Sequence, residues 1–350
     1  MSAESPKLPS MSNSKPTLVG LFAGVGGIEL GFELAGFQTL VSNEIDEYAG
    51  ETYRKNHKSP LVLGDIKDFK KSKIAEALGS RIGAIPKVSV LAGGFPCQPF
   101  SVAGFRKGFE DERGNVYWDI HRLTRELKPE VVFLENVKNL RGHDGGKTFE
   151  TILGSLGNEI ADPSGTLIGH KYHTKTAILN AKDFGIPQNR ERIFIVGFRD
   201  KKSFEKFEFP QTMPTKQRLS LKTVIDFNSK VDDKYYYDSK RPFFDQLKAG
   251  VVGSDSIYQW RRQYVRENKS GISPTLTANM GMGGHNVPII KARHGIRKLT
   301  PRECFALMGM SELSLPENMS ESRLYKQAGN AVVVPVIRAI AKNIRDAIQH

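Results

Sequence analysis

Short apolar runs alternate with stretches of helical spacing through the first 200 positions of the chain. Residues 17–22 form an apolar run that breaks at glycines, and 28–36 continue at helical spacing, which is the strand, turn and helix of a βαβ unit. Further strands are expected at 38–42, 60–63, 88–92, 130–134, 171–179 and 193–198, with helices at 70–78, 116–127 and 148–156. A strand as uniformly apolar as 130–134 belongs in a sheet covered on both faces. The pattern therefore predicts an α/β, doubly wound, Rossmann-like domain. The rhythm stops at Asp200, and the next ninety residues are loop-rich with an aromatic cluster at 235–237. Thr300, Pro301 and Glu303 spell a helix start, with Cys304 packed inside it. The apolar stretch 331–348 has helical spacing interrupted by Pro335.

These boundaries divide the chain into a disordered tail (1–16), a catalytic and cofactor-binding domain (17–200) and a smaller loop- and strand-rich recognition domain (201–295). A hinge segment (296–323) and a C-terminal helix returning to the first domain (324–350) complete the layout.

Charge sharpens the picture. The net charge is +13, from 51 Lys/Arg and 38 Asp/Glu, and residues 201–300 hold 19 of the bases against 9 acids. That segment is thus +10 and the other 250 residues only +3, a footprint suited to a polyanion. Apolar runs fall short of the roughly 20 residues that span a bilayer. The start of the chain is rich in Ser, Pro and Lys and lacks the apolar core of a secretory signal. Two cysteines, at 97 and 304, make neither a disulfide framework nor a zinc set. A cytoplasmic protein without metal is expected.

Candidate chemistry gathers at the strand ends, where open α/β sheets bind ligands. The first turn reads Gly24-x-Gly26-Gly27, with Glu29 where a dinucleotide fingerprint has its third glycine, and no P-loop lysine follows. Glu44 lies 20 residues after Gly24, the spacing of a ribose-clamping carboxylate. Asp65 follows the third strand and suits an exocyclic amine. Together they describe a nucleoside cofactor held without a pyrophosphate anchor, although both acids also suit helix capping. A nicotinamide dehydrogenase would need the missing fingerprint.

Cys97 lies between Pro96 and Pro99 in Gly-Gly-Phe-Pro-Cys-Gln-Pro-Phe-Ser (93–101), after a strand. A stiffened nucleophile and a small packing residue both fit that placement. The glycine-rich, charged stretch 102–115 suits a mobile loop. Glu135 ends a buried strand, where desolvation raises a carboxyl pKa and favours a proton donor. Arg190 and Arg192 are expected on one face, for anion recognition or for an internal ion pair. The mixed basic and aromatic stretch 258–266 and the small polar stretch 275–285 suit the reading of base edges, while Trp260 and the tyrosines equally suit a core.

These pieces, in this order, resemble the cytosine-carbon-5 DNA methyltransferases, the single-chain bacterial modification enzymes. The resemblance runs from about Leu18 to Ile344 outside the variable segment. It rests on Phe22-Ala-Gly-x-Gly-Gly27, Glu44, Gly64-Asp65-Ile66, the Cys97 loop, Glu135-Asn136-Val137, Gln188-x-Arg190-x-Arg192, Arg297-x-Leu-Thr-Pro-Arg-Glu303 and Gln327-x-Gly-Asn330-x-Val332.

The resemblance implies that Cys97 attacks carbon-6 of a flipped cytosine, with Glu135, Arg190 and Arg192 completing the catalytic set. It implies S-adenosylmethionine as methyl donor and S-adenosylhomocysteine as product, held by Phe22, Ala23, Gly24, Gly26, Gly27, Glu44, Ile45, Asp65, Ile66 and Asn330. Ile45 stands where relatives often carry an aromatic residue. Ser101, Arg106, Lys107, Arg261, Arg262, Thr275, Gly283 and Gly284 are the expected contacts to double-stranded DNA. The implied protein is a monomer in the bacterial cytoplasm or nucleoid that needs no stable protein partner and protects host DNA from a restriction endonuclease. An RNA cytosine methyltransferase shares the chemistry, but the long basic segment favours duplex DNA. A silent DNA-binding module would have no use for intact Cys97, Glu135 and Arg192.

Overall fold

The computed structural model describes residues 15–80, 83–95, 116–157, 169–282 and 287–349. The tail at 1–14, the loop at 102–115, and Cys97, Ser101, Arg106, Lys107, Gly283 and Gly284 lie outside the described residues.

Seven strands build the main sheet: β1 (Thr17–Leu21), β2 (Gln38–Glu44), β3 (Leu61–Leu63), β4 (Val90–Gly94), β5 (Val131–Val137), β6 (His173–Asn180) and β7 (Glu191–Phe198). Their spatial order is β3-β2-β1-β4-β5-β7-β6. The ladders are parallel except at β7, which runs antiparallel between β5 and β6. Period-two alternation divides the apolar side chains between two cores. Leu18, Val90, Val131 and Phe133 face one core with Phe32 and Ile337, whereas Val19, Leu91, Val132 and Leu134 face the other with Ile74, Ile120 and Ile152. Both faces are covered, which is the doubly wound arrangement the pattern predicts. The strand order reverses between β1 and β4, so the carboxyl ends of these two strands flank a crevice.

Among the described residues, five α-helices fall between these strands in the sequence: α1 (Gly27–Leu34), α2 (Glu47–Asn56), α3 (Lys71–Ala77), α4 (Val116–Leu127) and α5 (Lys147–Leu156). The apolar pattern does not reveal α2, because its buried face is built from Ala49, Gly50, Thr52 and Tyr53. Three strand ends fall later than expected. β2 reaches Glu44 and β5 reaches Val137, because the β3 and β7 ladders continue that far. β4 reaches Gly94, whose register partner is Glu135.

Residues 201–206 form a short helix, α6 (Lys201–Lys206), and α7 (Phe244–Gly250) precedes a second sheet. That sheet contains β8 (Ile257–Trp260), β9 (Val265–Asn268), β10 (Ile289–Ala292) and β11 (Gly295–Lys298), all antiparallel, in the order β11-β10-β8-β9. Leu247, Val251, Tyr258, Trp260 and Ile289 make a small core on one face, and Phe243 stacks on Trp260 with centroids 5.2 Å apart. Trp260 is therefore a core residue. Ile257 and Ile290 on the opposite face join the larger core. β11 runs across the boundary expected at 295.

The helix start at 300 is realised in α8 (Pro301–Ala306): Thr300 Oγ1 accepts from Glu303 N at 3.2 Å, and Glu303 Oε2 accepts from Thr300 N at 2.8 Å. Arg297 is fully buried and donates to both Glu303 oxygens at 2.8 and 2.7 Å, and to the Asp226 carbonyl at 2.9 Å. Cys304 is buried, and burial pushes its thiol pKa far above the usual range. α9 (Glu321–Asn330) and α10 (Val334–Ile348) close the chain. Pro335 does not interrupt a helix: it lies in the first turn of α10, where its missing N–H costs no bond. α10 packs against α1, where Gly31 leaves no room for a Cβ beside Ile337.

Breaking the Arg297–Glu303 pair from one side leaves a largely buried carboxylate without its two charged hydrogen bonds. R297A is expected to lower unfolding free energy by roughly 3–5 kcal/mol, read as a shift of the urea midpoint.

Candidate active site

The crevice between β1 and β4 is built from backbone that leaves regular structure under tight control. After β1 the chain turns through Phe22 (φ 53°), Gly24 (φ 56°) and Gly26 (φ 89°) into α1. Ala23 N donates to Asn43 O at 3.0 Å, and Gly26 N to Ala23 O at 2.8 Å. Glu44 holds the turn from the neighbouring strand. Its Oε2 accepts from Gly24 N at 2.7 Å, and its Oε1 accepts from Ile45 N at 2.9 Å and Asp46 N at 2.8 Å. Helix capping itself falls to Asp46, which accepts from Tyr48 N and Ala49 N.

Two glycines in this crevice border open space: a Cβ on Gly24 or Gly64 would meet no atom within 4 Å. Gly26 differs, since its Cβ would land 2.0 Å from His57 Nε2. Asp65 is exposed, and its Oδ1 accepts from Lys67 N at 2.9 Å, a local turn bond. Ile66 is buried, whereas Ile45 is 65 % exposed beside Glu44. α9 is brought to the same place by three contacts with α2. Lys326 pairs with Asp46 at 3.0 Å, Thr52 Oγ1 donates to Gln327 Oε1 at 2.9 Å, and the Arg323 guanidinium lies 3.2 Å from the Tyr48 ring centroid. Asn330 ends that helix and is exposed.

A nucleoside bearing a ribose fits these residues: a fixed carboxylate, open space beside Gly24 and Gly64, and an exposed apolar side chain at Ile45. Beneath the glycine turn lies a buried polar cluster. Ser42 Oγ donates to Glu29 Oε1 at 2.8 Å, and Tyr53 donates to Ser42 at 3.1 Å. Burial pushes the Glu29 carboxyl up to about 7, against the opposing pull of His57 and of the Ser42 hydrogen bond.

The other half of the crevice is formed by the ends of β4 and β5 and the start of β7. Phe95 is buried, and Asn136 Nδ2 donates to its carbonyl at 2.9 Å. Beside it, Glu135 Oε1 meets Arg192 Nε at 3.0 Å. The register makes this contact: Glu135 faces Phe194 and Val137 faces Arg192, so the ion pair is a diagonal neighbour on one face of β5 and β7. Burial raises the Glu135 carboxyl above the usual range, while Arg192 and Arg190 pull it down.

Arg190 and Arg192 do not act alike. Arg190 is buried, and its three hydrogen bonds go to the carbonyls of Leu276, Gly329 and Ala331 at 2.6, 3.0 and 2.7 Å. Burial and the neighbouring Arg192 charge push its pKa down to about 9. The position of Arg190 just before β7 turns its two terminal nitrogens onto backbone carbonyls, while its charge still acts on the Glu135 carboxyl.

A polar cleft of about 660 Å³ opens from this region along the second sheet. Thr275 lines it, and its Oγ1 donates to Asn189 O at 2.6 Å. Arg261 lines it as well, at the exposed end of β8, while Arg262 beside it has φ 65°. Gln259 and Arg266, inside the stretch 258–266 expected to read base edges, also line the cleft, as do Lys182 and Asn268, which were not expected from sequence. The signal was the alternation of β8 against β9, where Gln259 pairs with Arg266 and Ile257 with Asn268.

Because Glu29 has a higher pKa folded than unfolded, the folded state holds its proton across the window from 4.5 to about 7. Its contribution to stability is fully present below 4.5 and is lost as pH rises through about 7. The stability of the parent relative to E29Q is expected to drop by about 3 kcal/mol across that window. Urea unfolding of both proteins at a series of pH values measures this, and a pH-independent difference would refute it.

The sequence was compared with known proteins. A family model for the C-5 cytosine-specific DNA methylases matches residues 17–346. The chain is 50% identical over 331 residues to the Type II methyltransferase M.Bsp6I of Bacillus sp. (strain RFL6), covering 93% of this chain and 98% of that protein. It is 36% identical over 344 residues to the Type II methyltransferase M.HhaI of Haemophilus parahaemolyticus, covering 94% of each. Among solved structures, the S. pombe Dnmt2 methyltransferase matches with a TM-score of 0.68 at 17% identity, over 96% of this chain and 100% of that one, which speaks for the fold. The chain therefore belongs to the C-5 cytosine-specific DNA methylase family.

Proposed function

We propose that the chain is a sequence-specific DNA cytosine-5 methyltransferase that works through a covalent adduct on Cys97, with S-adenosylmethionine as its donor. The observation that supports this most is the buried Glu135–Arg192 pair beside the strand that leads into the cysteine loop. Cytosine carbon-5 is a poor nucleophile until a group adds at carbon-6. In this reading the Cys97 thiolate forms the sulfur–carbon-6 bond, and the ring electrons move toward nitrogen-3. Glu135, whose carboxyl pKa burial raises, donates to nitrogen-3, and Arg192 fixes the carboxyl in place. Activated carbon-5 is then the nucleophile; the bound donor supplies an electrophilic methyl group. Loss of the carbon-5 proton to a base releases the cysteine and restores the aromatic ring.

The crevice residues are assigned to the donor. Glu44 would hold the ribose hydroxyls, Asp65 the adenine amine, and Phe22, Ala23, Gly24, Gly26, Gly27, Ile45, Ile66 and Asn330 the remaining surface. The target base must leave the duplex to reach this site, at a few kcal/mol of unstacking. Ser101, Arg106, Lys107, Arg261, Arg262, Thr275, Gly283 and Gly284 are assigned to the duplex, and Lys182 and Arg266 join them from the cleft. The working form is a cytoplasmic monomer that protects host DNA from a cognate endonuclease.

Incubation with S-adenosylmethionine and duplex carrying 5-fluorocytosine in place of cytosine should yield a denaturation-resistant adduct, with the modified peptide containing Cys97. Absence of that adduct, or methyl transfer by C97S, would sink the covalent mechanism. Bisulfite sequencing of DNA from expressing cells identifies the site; transfer to RNA alone would replace the substrate. E135Q is expected to lower kcat at least 100-fold, the usual scale of a lost general acid, with duplex affinity retained.

A further inference from the structure

The expected target-facing role of Arg190 does not explain its surroundings. It joins segments that the proposed function assigns to different ligands. Leu276 follows Thr275, assigned to the duplex, while Gly329 and Ala331 flank Asn330, assigned to the cofactor. The guanidinium holds all three carbonyls at once.

Close backbone packing makes this joint unable to slip. A Cβ on Gly329 would lie 2.1 Å from the Thr277 carbonyl carbon, and one on Gly281 would lie 2.3 Å from Ser322 O. Gln188 adds two bonds, accepting from Leu276 N at 3.1 Å and donating to Leu307 O at 2.8 Å. Ser273 N donates to Pro187 O at 2.7 Å, and Asn189 N to Ser273 O at 2.8 Å. The segment 273–281 is thereby fastened to 187–190 and to α9. A displacement on the cleft side has to be passed to the end of α9 that bears Asn330, because packed backbone is not continuously deformable.

We propose that Arg190 is a positioning residue that couples the two ligand sites: duplex seated against Thr275 tightens the cofactor pocket at Asn330, and by linkage bound cofactor tightens the hold on duplex. The planar fork of a guanidinium sets the spacing between the three carbonyls. A lysine ammonium keeps the charge but not that geometry. This inference rests on the proposed function, whose own failure shows separately as a parent protein that transfers no labelled methyl group to DNA.

The test is the dissociation constant of S-adenosylhomocysteine, by calorimetry, with and without saturating duplex that carries the site found by bisulfite sequencing. The parent should bind it about fivefold or more tightly with duplex present, the lower end of ordinary coupling. R190K should bring that ratio to within about twofold of unity and leave the affinity without duplex within about threefold of the parent. K182A, altered on the cleft lining alone, should weaken duplex binding yet keep the parental ratio once duplex saturates. Should R190K fail to fold, G281A probes the same joint from the other side and should lose the ratio too. A parental ratio in R190K or, where that is unfolded, in G281A, a ratio near one in the parent, or loss of the ratio in K182A would each overturn the proposal.

Discussion

Strands that end at a ligand-binding edge leave peptide groups that no ladder can satisfy, and burial makes each one costly to leave unpaired. This chain meets the constraint with a few polar side chains, each serving more than one peptide group. Glu44 takes three backbone N–H groups from two segments. Asn43 donates to the carbonyls of Val62 and Gly64, and Asn136 to that of Phe95. Arg190 takes three carbonyls and Gln188 two further backbone groups. The edge of the sheet is therefore rigid without being regular, which is what a site needs if it must hold a cofactor and receive a base at fixed relative positions.

The Glu135–Arg192 pair shows how that rigidity sets chemistry. Desolvation alone would keep the carboxyl neutral, and an unopposed guanidinium at 3.0 Å would keep it ionised. The two influences oppose each other in a buried space, with Arg190 adding a second positive charge nearby. A carboxyl balanced in this way can share a proton with a ring nitrogen and recover it. The antiparallel placement of β7 is what delivers Arg192 to that spot, so a departure from the all-parallel sheet carries the geometry on which the proposed chemistry rests.

Periodicity and punctuation made much of the architecture legible. The apolar runs announced the strands of the main sheet, and Thr300-Pro301-x-Glu303 announced a capping box that is present atom for atom. α2 escaped because a face of Ala, Gly, Thr and Tyr carries too little hydrophobic contrast. Pro335 misled because the same residue breaks a helix interior and begins a helix, and only the end of α9 at Asn330 decides which. In the site, single positions were readable: Glu44 ends β2 and Glu135 lies near the end of β5. Pairings were not. Arg190 and Arg192 are two positions apart, yet one grips main-chain carbonyls and the other a carboxylate, a difference created by segments more than eighty residues downstream. The pairing of Gln259 with Arg266 was hidden for the same reason, since their shared face exists only once β8 pairs with β9.

The interlock of Gly281 and Gly329 with opposing backbone also bears on how this architecture can be recombined. The second sheet has a small core of its own around Tyr258 and Trp260, which suggests an exchangeable module. Its neighbour at 273–281 is of another kind: it lies within the sequence of the recognition segment but is built into the catalytic frame. A graft that cut at the ends of the basic segment would carry off part of that frame. A single seam before Ser273 would part β8 and β9 from β10, their neighbour in the second sheet, so an exchange of specificity has to graft two pieces around 273–281 and leave that segment as a fixture of the host.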